Sequence, residues 1–236
     1  MRTRSPRRSL SKVPARVRSR GLLEVLDLAV HRVREFFYSG DRLILFALDL
    51  PSPSPQRPPP PHARFCRAGS DDARAYARDV GTDSVATFRD RLSEDSRCYL
   101  ISRDHLIVHA SWVTTSLAWT REIRRYFRPP PGEAYIYESF TRTEARGQGA
   151  YPFALGAIAG ELAAEGIGRL WVGVEAGNRS SIKAVRKAGF EVGFDITYRR
   201  RLGRVTVSAP QGPLARDCRG CLEPPPAVDR SQRNKR

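Results

Sequence analysis

The chain of 236 residues lacks several features that would place it in familiar classes. It has no run of about 18 or more apolar residues, so we predict no transmembrane helix. Arg7-Arg8 superficially resembles a twin-arginine signal, but residues 21–33 then carry charged side chains where a signal needs an uncharged apolar stretch. Cysteine is scarce, with four residues. This scarcity and the missing signal favour a cytoplasmic location.

The four cysteines do not form a recognisable ligand set. Cys66 and Cys98 lie in predicted strands, where we expect buried thiols. Cys218 and Cys221 form a single CxxC in a proline-rich segment, and such a pair supplies only two of the four ligands of a structural zinc site. We therefore interpret the pair as a chance spacing and predict no metal.

The charge of the chain is unevenly distributed. The net charge is +16, and the first twenty residues hold eight basic residues and no acidic one. Residues 1–20 are therefore expected to form a disordered basic arm, which is either a solvated tail or a contact for nucleic acid or an anionic membrane. The sequence contains no helix-turn-helix or RNA-binding motif, so nucleic acid is not the expected partner. The moderately basic remainder suits an anionic cofactor.

Composition divides the rest of the chain into four segments. Residues 21–50 read as an extension with a helix over Gly21–Tyr38 and a strand over Arg42–Leu50. Residues 51–62 form a proline-rich linker, with seven prolines between positions 51 and 61. Residues 63–204 form the main domain, and residues 205–236 have the composition of a disordered tail.

Apolar periodicity and turn residues predict the order β, α, α, β, β, β, α, β, α, β for the main domain. This is a mixed sheet with helices on its faces, in which the strands before and after one crossover helix run parallel. The aromatic and basic segment Trp119–Phe127 is either a surface helix or a mobile segment over a cleft. His105 and His109 match no catalytic motif, so we assign both a structural role.

A glycine-rich turn over residues 141–151, TRTEARGQGAY, joins a predicted strand, 134–140, to a predicted helix, 152–165. Such a turn suits a phosphate, because its N–H groups and the helix dipole favour an anion. The dinucleotide motif GxGxxG fails at Pro152, and the Gly-Lys-Ser/Thr ending of a P-loop is missing. An acetyltransferase loop, R/Q-x-x-G-x-G/A, fits at Arg146 and Gly149, whereas Tyr151 departs from its usual small residue.

A second segment strengthens that reading. Asn178 begins the sequence NRSSIKAVRKAGF, which ends at Phe190. In order and spacing, the loop, the apolar strand Arg169–Glu175 and this segment resemble the GCN5-related N-acetyltransferase (GNAT) superfamily. The resemblance covers roughly residues 64–201.

The resemblance implies an α/β (α+β) fold with a mostly antiparallel central sheet, a splayed parallel pair and flanking helices. It implies acetyl-CoA as co-substrate, with pantetheine beside the strand around residues 139–141 and the pyrophosphate on the loop N–H groups. The implied cofactor-binding residues are Phe140, Thr141, Arg146, Gly147, Gln148, Gly149, Ala150, Asn178 and Ser181. The basic residues Arg179, Lys183, Arg186 and Lys187 either meet the 3′-phosphate of the nucleotide or form a solvated helix face.

The resemblance also implies an N-acetyltransferase. Glu138 matches a strand position where some members carry a catalytic glutamate, although a structural carboxylate is the alternative. Many members have a tyrosine as general acid where this chain has Val185, so Tyr198, Tyr137 or water takes that role, and we select Tyr198. A catalytically inactive acyl-CoA-binding module is the alternative function.

The predicted acceptor is a small-molecule or sugar amine. The aromatic residues Trp112, Trp119, Tyr135 and Tyr137 either line a cleft that stacks on a ring or pack in the core. A homodimer is left open.

Overall fold

A computed structural model of the chain describes residues 38–52, 58–202 and 204–225. The basic arm and the helix expected before Tyr38 lie outside them. The strands are β1 (Tyr38–Asp49), β2 (Arg64–Arg67), β3 (Ser96–Arg103), β4 (Leu106–Thr114), β5 (Ala118–Thr120), β6 (Arg125–Phe127), β7 (Glu133–Thr141), β8 (Arg169–Glu175), β9 (Glu191–Arg201), β10 (Arg204–Val207) and β11 (Leu222–Glu223). The α-helices are α1 (Ala73–Asp79), α2 (Val85–Arg91), α3 (Ala150–Ala164) and α4 (Arg179–Lys187).

These residues divide into two compact units. The larger comprises residues 41–52, 58–197 and 207–225, and the smaller comprises 38–40, 198–202 and 204–206. In the smaller unit, the Thr206 hydroxyl donates to the Arg199 carbonyl at 3.4 Å, beside the end of β9.

The main sheet of the larger unit has the strand order β9-β1-β8-β7-β4-β3-β2. β1–β8, β2–β3, β3–β4 and β4–β7 are antiparallel pairs. β7 and β8 run parallel and are joined through α3. The predicted fold class is therefore confirmed, as is the predicted parallel pair.

The strand expected in an N-terminal extension belongs to this sheet instead. β1 pairs with β8 from Leu43 opposite Glu175 to Asp49 opposite Arg169. The run Leu43–Leu48 is buried along its whole length. A strand apolar at every position needs cover on both faces, and a place inside the sheet provides it. β1 is therefore a core element.

Two groups of helices cover the sheet. Leu155 and Ile158 of α3 and Val185 of α4 share an apolar cluster with β1 and β8. Tyr76 of α1 and Phe88 of α2 share another with Leu100 and Trp112. Since neighbouring residues of β3 alternate between these clusters, the two groups lie on opposite faces.

Trp119–Phe127 is not the helix that was one of the two alternatives predicted for it. β5 and β6 form an antiparallel pair in which Trp119 lies opposite Tyr126. β11 pairs with the other edge of β6 and completes a second, three-stranded sheet. Ala118, Trp119 and Thr120 alternate between buried and exposed, which is the period of a strand. The expected disordered tail is also folded as far as residue 225, because β10, a series of turns and β11 lie within it.

Candidate active site

A cavity of about 780 Å³ lies in the larger unit, where β7 and β8 separate. Its walls come from the two strands, the loop after β7, the first turn of α3, the start of α4 and the segment around β5. The volume falls in the range of small-molecule sites. Eight of the predicted site residues line it: Glu138, Thr141, Arg146, Gly147, Gly149, Ala150, Asn178 and Ser181.

The gap between the parallel strands begins after four residue pairs. β7 and β8 are paired from Glu133 opposite Arg169 to Ile136 opposite Val172. Beyond this point both strands contribute residues to the cavity wall. A bulge in β7 accompanies the change, since Tyr137 lies opposite Trp112 and Phe140 opposite Ala110. β7 therefore contains one extra residue here, which bends and twists the strand.

Glu138 lies in this bulge with φ at 49°. Glutamate rarely adopts the left-handed region, and a residue held there costs of order 1–3 kcal/mol. Its side chain is paired with α2, because Arg91 Nη1 lies 2.7 Å from Glu138 Oε2. The bulge thus presents this carboxylate at the cavity in a fixed position.

Arg91 is held from several sides. Its Nη1 also contacts Asp83 Oδ2 at 2.5 Å, and its guanidinium lies 3.9 Å from the Trp112 ring centroid. Burial acts to lower the pKa of Arg91, but the hydrogen bond with Tyr137 and the carboxylates of Glu138 and Asp83 raise it overall. Arg91 therefore stays charged and forms an ion pair with the Glu138 carboxylate.

Tyr135 and Gly173 meet at the point where the strands separate. A Cβ atom placed on Gly173 would lie 2.8 Å from the Tyr135 hydroxyl oxygen. Both residues line the cavity, and Tyr135 is otherwise buried. The glycine is required because the phenol of Tyr135 occupies the space that a side chain on β8 would need.

The loop after β7 presents backbone to the cavity. Gly147 and Gly149 have φ of 77° and 84°, and a Cβ placed on either would meet no atom within 4 Å. Gly149 is the N-cap of α3, a helix of fifteen residues. The positive end of the helix dipole and the N–H groups of its first turn therefore face open space. Arg146 lines this region, and its Nε donates to the Thr141 carbonyl at 3.2 Å.

A row of hydrogen-bonded polar side chains lies between β4, β7 and α3, and two of its members, His109 and Ser111, are buried. His109 contacts the Thr141 hydroxyl through Nδ1 at 2.8 Å and the Ser111 hydroxyl through Nε2 at 2.9 Å. Ser111 and Ser139 hydroxyls are 2.8 Å apart. Burial lowers the pKa of His109 to about 3, so its ring is neutral at physiological pH. Alternation along β4 and β7 places all four side chains on one face.

Tyr151 extends this row into the cavity. Its ring centroid lies 5.4 Å from that of His109, and its hydroxyl is hydrogen-bonded with Ser139. Burial raises the pKa of Tyr151 to about 12, although the Ser139 hydrogen bond acts in the other direction. The ring is therefore directed towards β4 and β7, which explains how a bulky residue is accommodated in the loop.

α4 closes the opposite side of the cavity. Asn178 caps it, since its Oδ1 accepts the Ser181 N–H at 3.1 Å and the Ser180 hydroxyl at 3.0 Å. Val185 is fully buried in the core, so its side chain is directed away from the cavity. Basic residues of α4 surround a second, shallower cavity of about 410 Å³, and Lys183 and Lys187 belong to both cavities.

The structure places three predicted site residues away from the cavity wall just described. Phe140 pairs with Ala110 in the β4–β7 ladder. The Gln148 side chain is held by Arg103 at 2.7 Å and by the Glu144 carbonyl at 2.7 Å. Tyr198 is buried and belongs to the smaller unit, whereas the residues that line the cavity belong to the larger one. Their predicted roles stay predictions.

The aromatic residues divide between core and cavity. Trp112 is fully buried against Tyr76 and Phe88, so it packs in the core. Trp119 is 41% exposed and lines the cavity, as does Tyr137, whose hydroxyl lies 3.0 Å from that of Ser96.

Sequence reasoning missed the His109 row and Arg91. The spacing of two between His109 and Ser111, and between Ser139 and Thr141, was the available signal. That these residues of β4 and β7 lie next to one another follows only from the register of the two strands in the sheet.

A mixed sheet whose parallel pair opens over a glycine-rich turn is the arrangement of the GCN5-related N-acetyltransferase fold, and comparison with solved structures confirms this fold for the chain. The chain is similar to a GCN5-related N-acetyltransferase from Sphaerobacter thermophilus, with a TM-score of 0.54 and 16% identity over 78% of this chain. The match covers 57% of that protein, so this chain spans little more than half of its length.

Other similar structures include a GCN5-related N-acetyltransferase from Kribbella flavida, with a TM-score of 0.49 and 18% identity over 72% of this chain and 62% of that one. A GNAT-family acetyltransferase from Colwellia psychrerythraea has a TM-score of 0.48 and 14% identity over 68% of this chain and 55% of that one. No protein-family model and no curated protein sequence matches the chain.

Two further findings concern only the part of the chain that the structure describes. Within it, no three or more His, Cys, Asp or Glu side chains are grouped so that they could hold a metal ion. None of the helices described is both long and apolar enough to cross a membrane.

Proposed function

We propose that the chain is an acyl-CoA-dependent N-acyltransferase, with acetyl-CoA as the donor and an amine as the acceptor. The observation that carries the proposal is the gap between β7 and β8 over the glycine-capped start of α3. In this arrangement one cavity offers an unpaired strand edge and a helix N-terminus.

The loop fits a pyrophosphate. Open space beside Gly147 and Gly149 lets an anion approach the backbone N–H groups closely. Arg146 and Lys183 add positive charge to the same cavity. Pro152 lies in the first turn of α3, where a missing N–H costs little because that group has no partner within the helix.

β7 fits an extended chain that carries amide groups. Its pairing with β8 covers only Glu133–Ile136, so the backbone from Tyr137 onward is available on that side. The amides of pantetheine can add to such an edge as a strand would. The Tyr151 phenol, which is hydrogen-bonded with Ser139, lines this part of the cavity.

The basic face of α4 lies next to the phosphate-binding end. Arg179, Lys183, Arg186 and Lys187 surround the shallow second cavity, which shares two lysines with the main one. This face suits the 3′-phosphate of the nucleotide, and a solvated helix face is the alternative.

The acceptor side combines an exposed ring with carboxylates. Trp119, Glu122 and Glu138 line the cavity near β5 and the β7 bulge. Amines are cations before reaction, so carboxylates favour their binding, and the exposed Trp119 ring offers a surface for cation–π or stacking contacts. We therefore propose a small-molecule amine as acceptor.

The roles of the protein groups follow from this placement. Acetyl-CoA supplies an acetyl thioester, from which transfer to the amine leaves a free thiol. The strand, loop and α3 hold the donor in line with the acceptor, which supplies much of the rate enhancement. An N–H of β7 can donate to the thioester carbonyl oxygen, where negative charge develops. Glu138 accepts the proton of the ammonium group, directly or through water, while Arg91 fixes its position.

The alternative is a module that binds acyl-CoA without turnover. It is favoured by Val185, whose burial in the core leaves α4 without a hydroxyl at the position where many GNAT members carry the general acid. A measurement of turnover distinguishes the enzyme from the binding module, because both would bind acyl-CoA.

Calorimetry with acetyl-CoA, followed by thiol release over a panel of amines, tests the proposal. We expect saturable binding and amine-dependent thiol release. Binding without release on any amine would support the binding module, and absence of binding would exclude both functions.

A further inference from the structure

A tight turn brings the two cysteines of the CxxC motif together. The Cys221 N–H donates to the Cys218 carbonyl at 3.1 Å, which closes a four-residue turn through Arg219 and Gly220. Gly220 has φ of 91°, the conformation that the third position of a type II turn requires. The ends of such a turn lie within about 7 Å, and a disulfide spans about 4.4–6.8 Å between Cα atoms. The turn therefore holds the two Cα atoms at a separation that a disulfide can span.

The two thiols also differ chemically. A hydrogen bond from the Cys218 thiol lowers the pKa of Cys221 and raises that of Cys218. Both side chains are buried, but they belong to a turn whose central residues Arg219 and Gly220 are exposed at the surface. Cys221 is also the less buried of the two, at 6% exposed against 1% for Cys218, so local opening of this turn exposes Cys221 first, with Cys218 beside it.

The turn is joined directly to the second sheet. The Cys221 carbonyl accepts the Arg128 N–H at 2.8 Å, and the next two residues form β11 opposite Tyr126 and Phe127 of β6. β6 in turn pairs with β5, whose Trp119 and Thr120 line the cavity. The turn is therefore continuous with the sheet whose strand β5 borders the cavity.

We propose that Cys218 and Cys221 form a reversible dithiol–disulfide site, oxidised by exchange with low-molecular-weight disulfides such as glutathione disulfide. The Cys221 thiolate attacks a sulfur of glutathione disulfide, which forms a mixed disulfide and releases one glutathione thiolate. The Cys218 thiolate then attacks the Cys221 sulfur and releases the second glutathione. Overall, two protein thiols and one glutathione disulfide give one protein disulfide and two molecules of reduced glutathione.

Equilibration of the full chain in glutathione buffers of increasing oxidised fraction tests this site. After acid quenching, denaturation and alkylation, the intact mass counts free thiols, and peptide mapping locates the link. We expect the number of alkylated cysteines to fall from four to two, with Cys66 and Cys98 still alkylated and a Cys218–Cys221 link recovered. Excess dithiothreitol should restore all four.

Two single variants test the order of attack. Cys218→Ser should accumulate a glutathione mixed disulfide on Cys221 at least several-fold faster than Cys221→Ser accumulates one on Cys218. Cys66→Ser is the matched control and should keep the link. Circular dichroism and the midpoint of thermal unfolding check that each variant is folded.

The wild-type measurement keeps the proposal falsifiable even if a variant fails to fold. Full alkylation of Cys218 and Cys221 in the most oxidising buffer would overturn it. Mixed or intermolecular disulfides without the internal link would overturn it as well.

Discussion

Arg91 of α2 and Glu138 of the β7 bulge form an ion pair, with Nη1 and Oε2 separated by 2.7 Å. The pair joins the helical layer of α1 and α2 to the strand that borders the cavity. It holds the carboxylate of a residue in a strained backbone conformation, which connects folding energy to the position of the proposed base.

Loss of Arg91 is expected to reduce stability. Arg91→Ala removes contacts with Glu138 and Asp83 and the cation–π contact with Trp112, and should lower the free energy of unfolding by about 2 kcal/mol. Urea unfolding measures the change. Arg128→Ala is the matched control, because the Arg128–Glu223 pair is exposed and its loss should cost much less than the loss of Arg91. Equal effects of the two variants would contradict the role of the Arg91 contacts with Glu138, Asp83 and Trp112.

Removal of the Glu138 carboxylate is expected to affect turnover rather than donor binding. Glu138→Gln should lower kcat by about 100-fold or more, since it removes a general base, and should leave the dissociation constant of acetyl-CoA within about twofold. Amine-dependent thiol release and calorimetry give the two quantities. Unchanged turnover in the folded variant would assign Glu138 a structural role.

A side chain at position 173 is expected to disturb the start of the gap. Gly173→Ala places a methyl group 2.8 Å from the Tyr135 hydroxyl and should cost about 1–3 kcal/mol of stability through overpacking. Combination with Tyr135→Phe should recover part of this loss, because the clashing atom is removed. Gly156→Ala in α3 is the control, since a Cβ there meets nothing within 4 Å and should stabilise the helix by about 0.5–1 kcal/mol. Chemical unfolding of the wild type, the two single glycine variants and the double variant measures these differences in the free energy of unfolding.

The buried imidazole of His109 is expected to make stability depend on pH. Its pKa falls from the ordinary 6.5 to about 3 in the folded chain, so between these values the unfolded state binds more protons. Stability should therefore decrease as pH falls below about 6.5, with a contribution from this residue of up to about 1.4 kcal/mol per pH unit.

Urea unfolding between pH 4.5 and 7.5 measures this slope. His109→Asn should reduce it, because the titrating ring is removed. His105→Asn is the control, since His105 lies exposed in the turn between β3 and β4 and its positive φ of 62° suits asparagine. If the slope is unchanged in His109→Asn, the pH dependence of stability does not come from His109.

Sequence reasoning located most of the elements around the site. The strand 169–175, the glycine turn and the helices on either side of β8 agree with the structure, because periodicity, caps and glycines act over a few residues. It did not place β1 inside the sheet, although its continuous apolar run was the signal for burial on both faces. It also did not predict the β5–β6 hairpin and offered a helix as one alternative there, since three-residue strands carry little periodicity.

By itself the sequence determined the glycine turn around Gly147 and Gly149, because positive φ and a following helix are local properties that glycine and a helix N-cap encode. Only the tertiary structure decided what surrounds that turn. The pairing of β4 with β7 assembled the His109 row and directed Tyr151 towards it, and the packing of α2 set Arg91 against Glu138. These contacts join residues far apart in the chain, and strand register and helix packing, which depend on the whole core, bring them together.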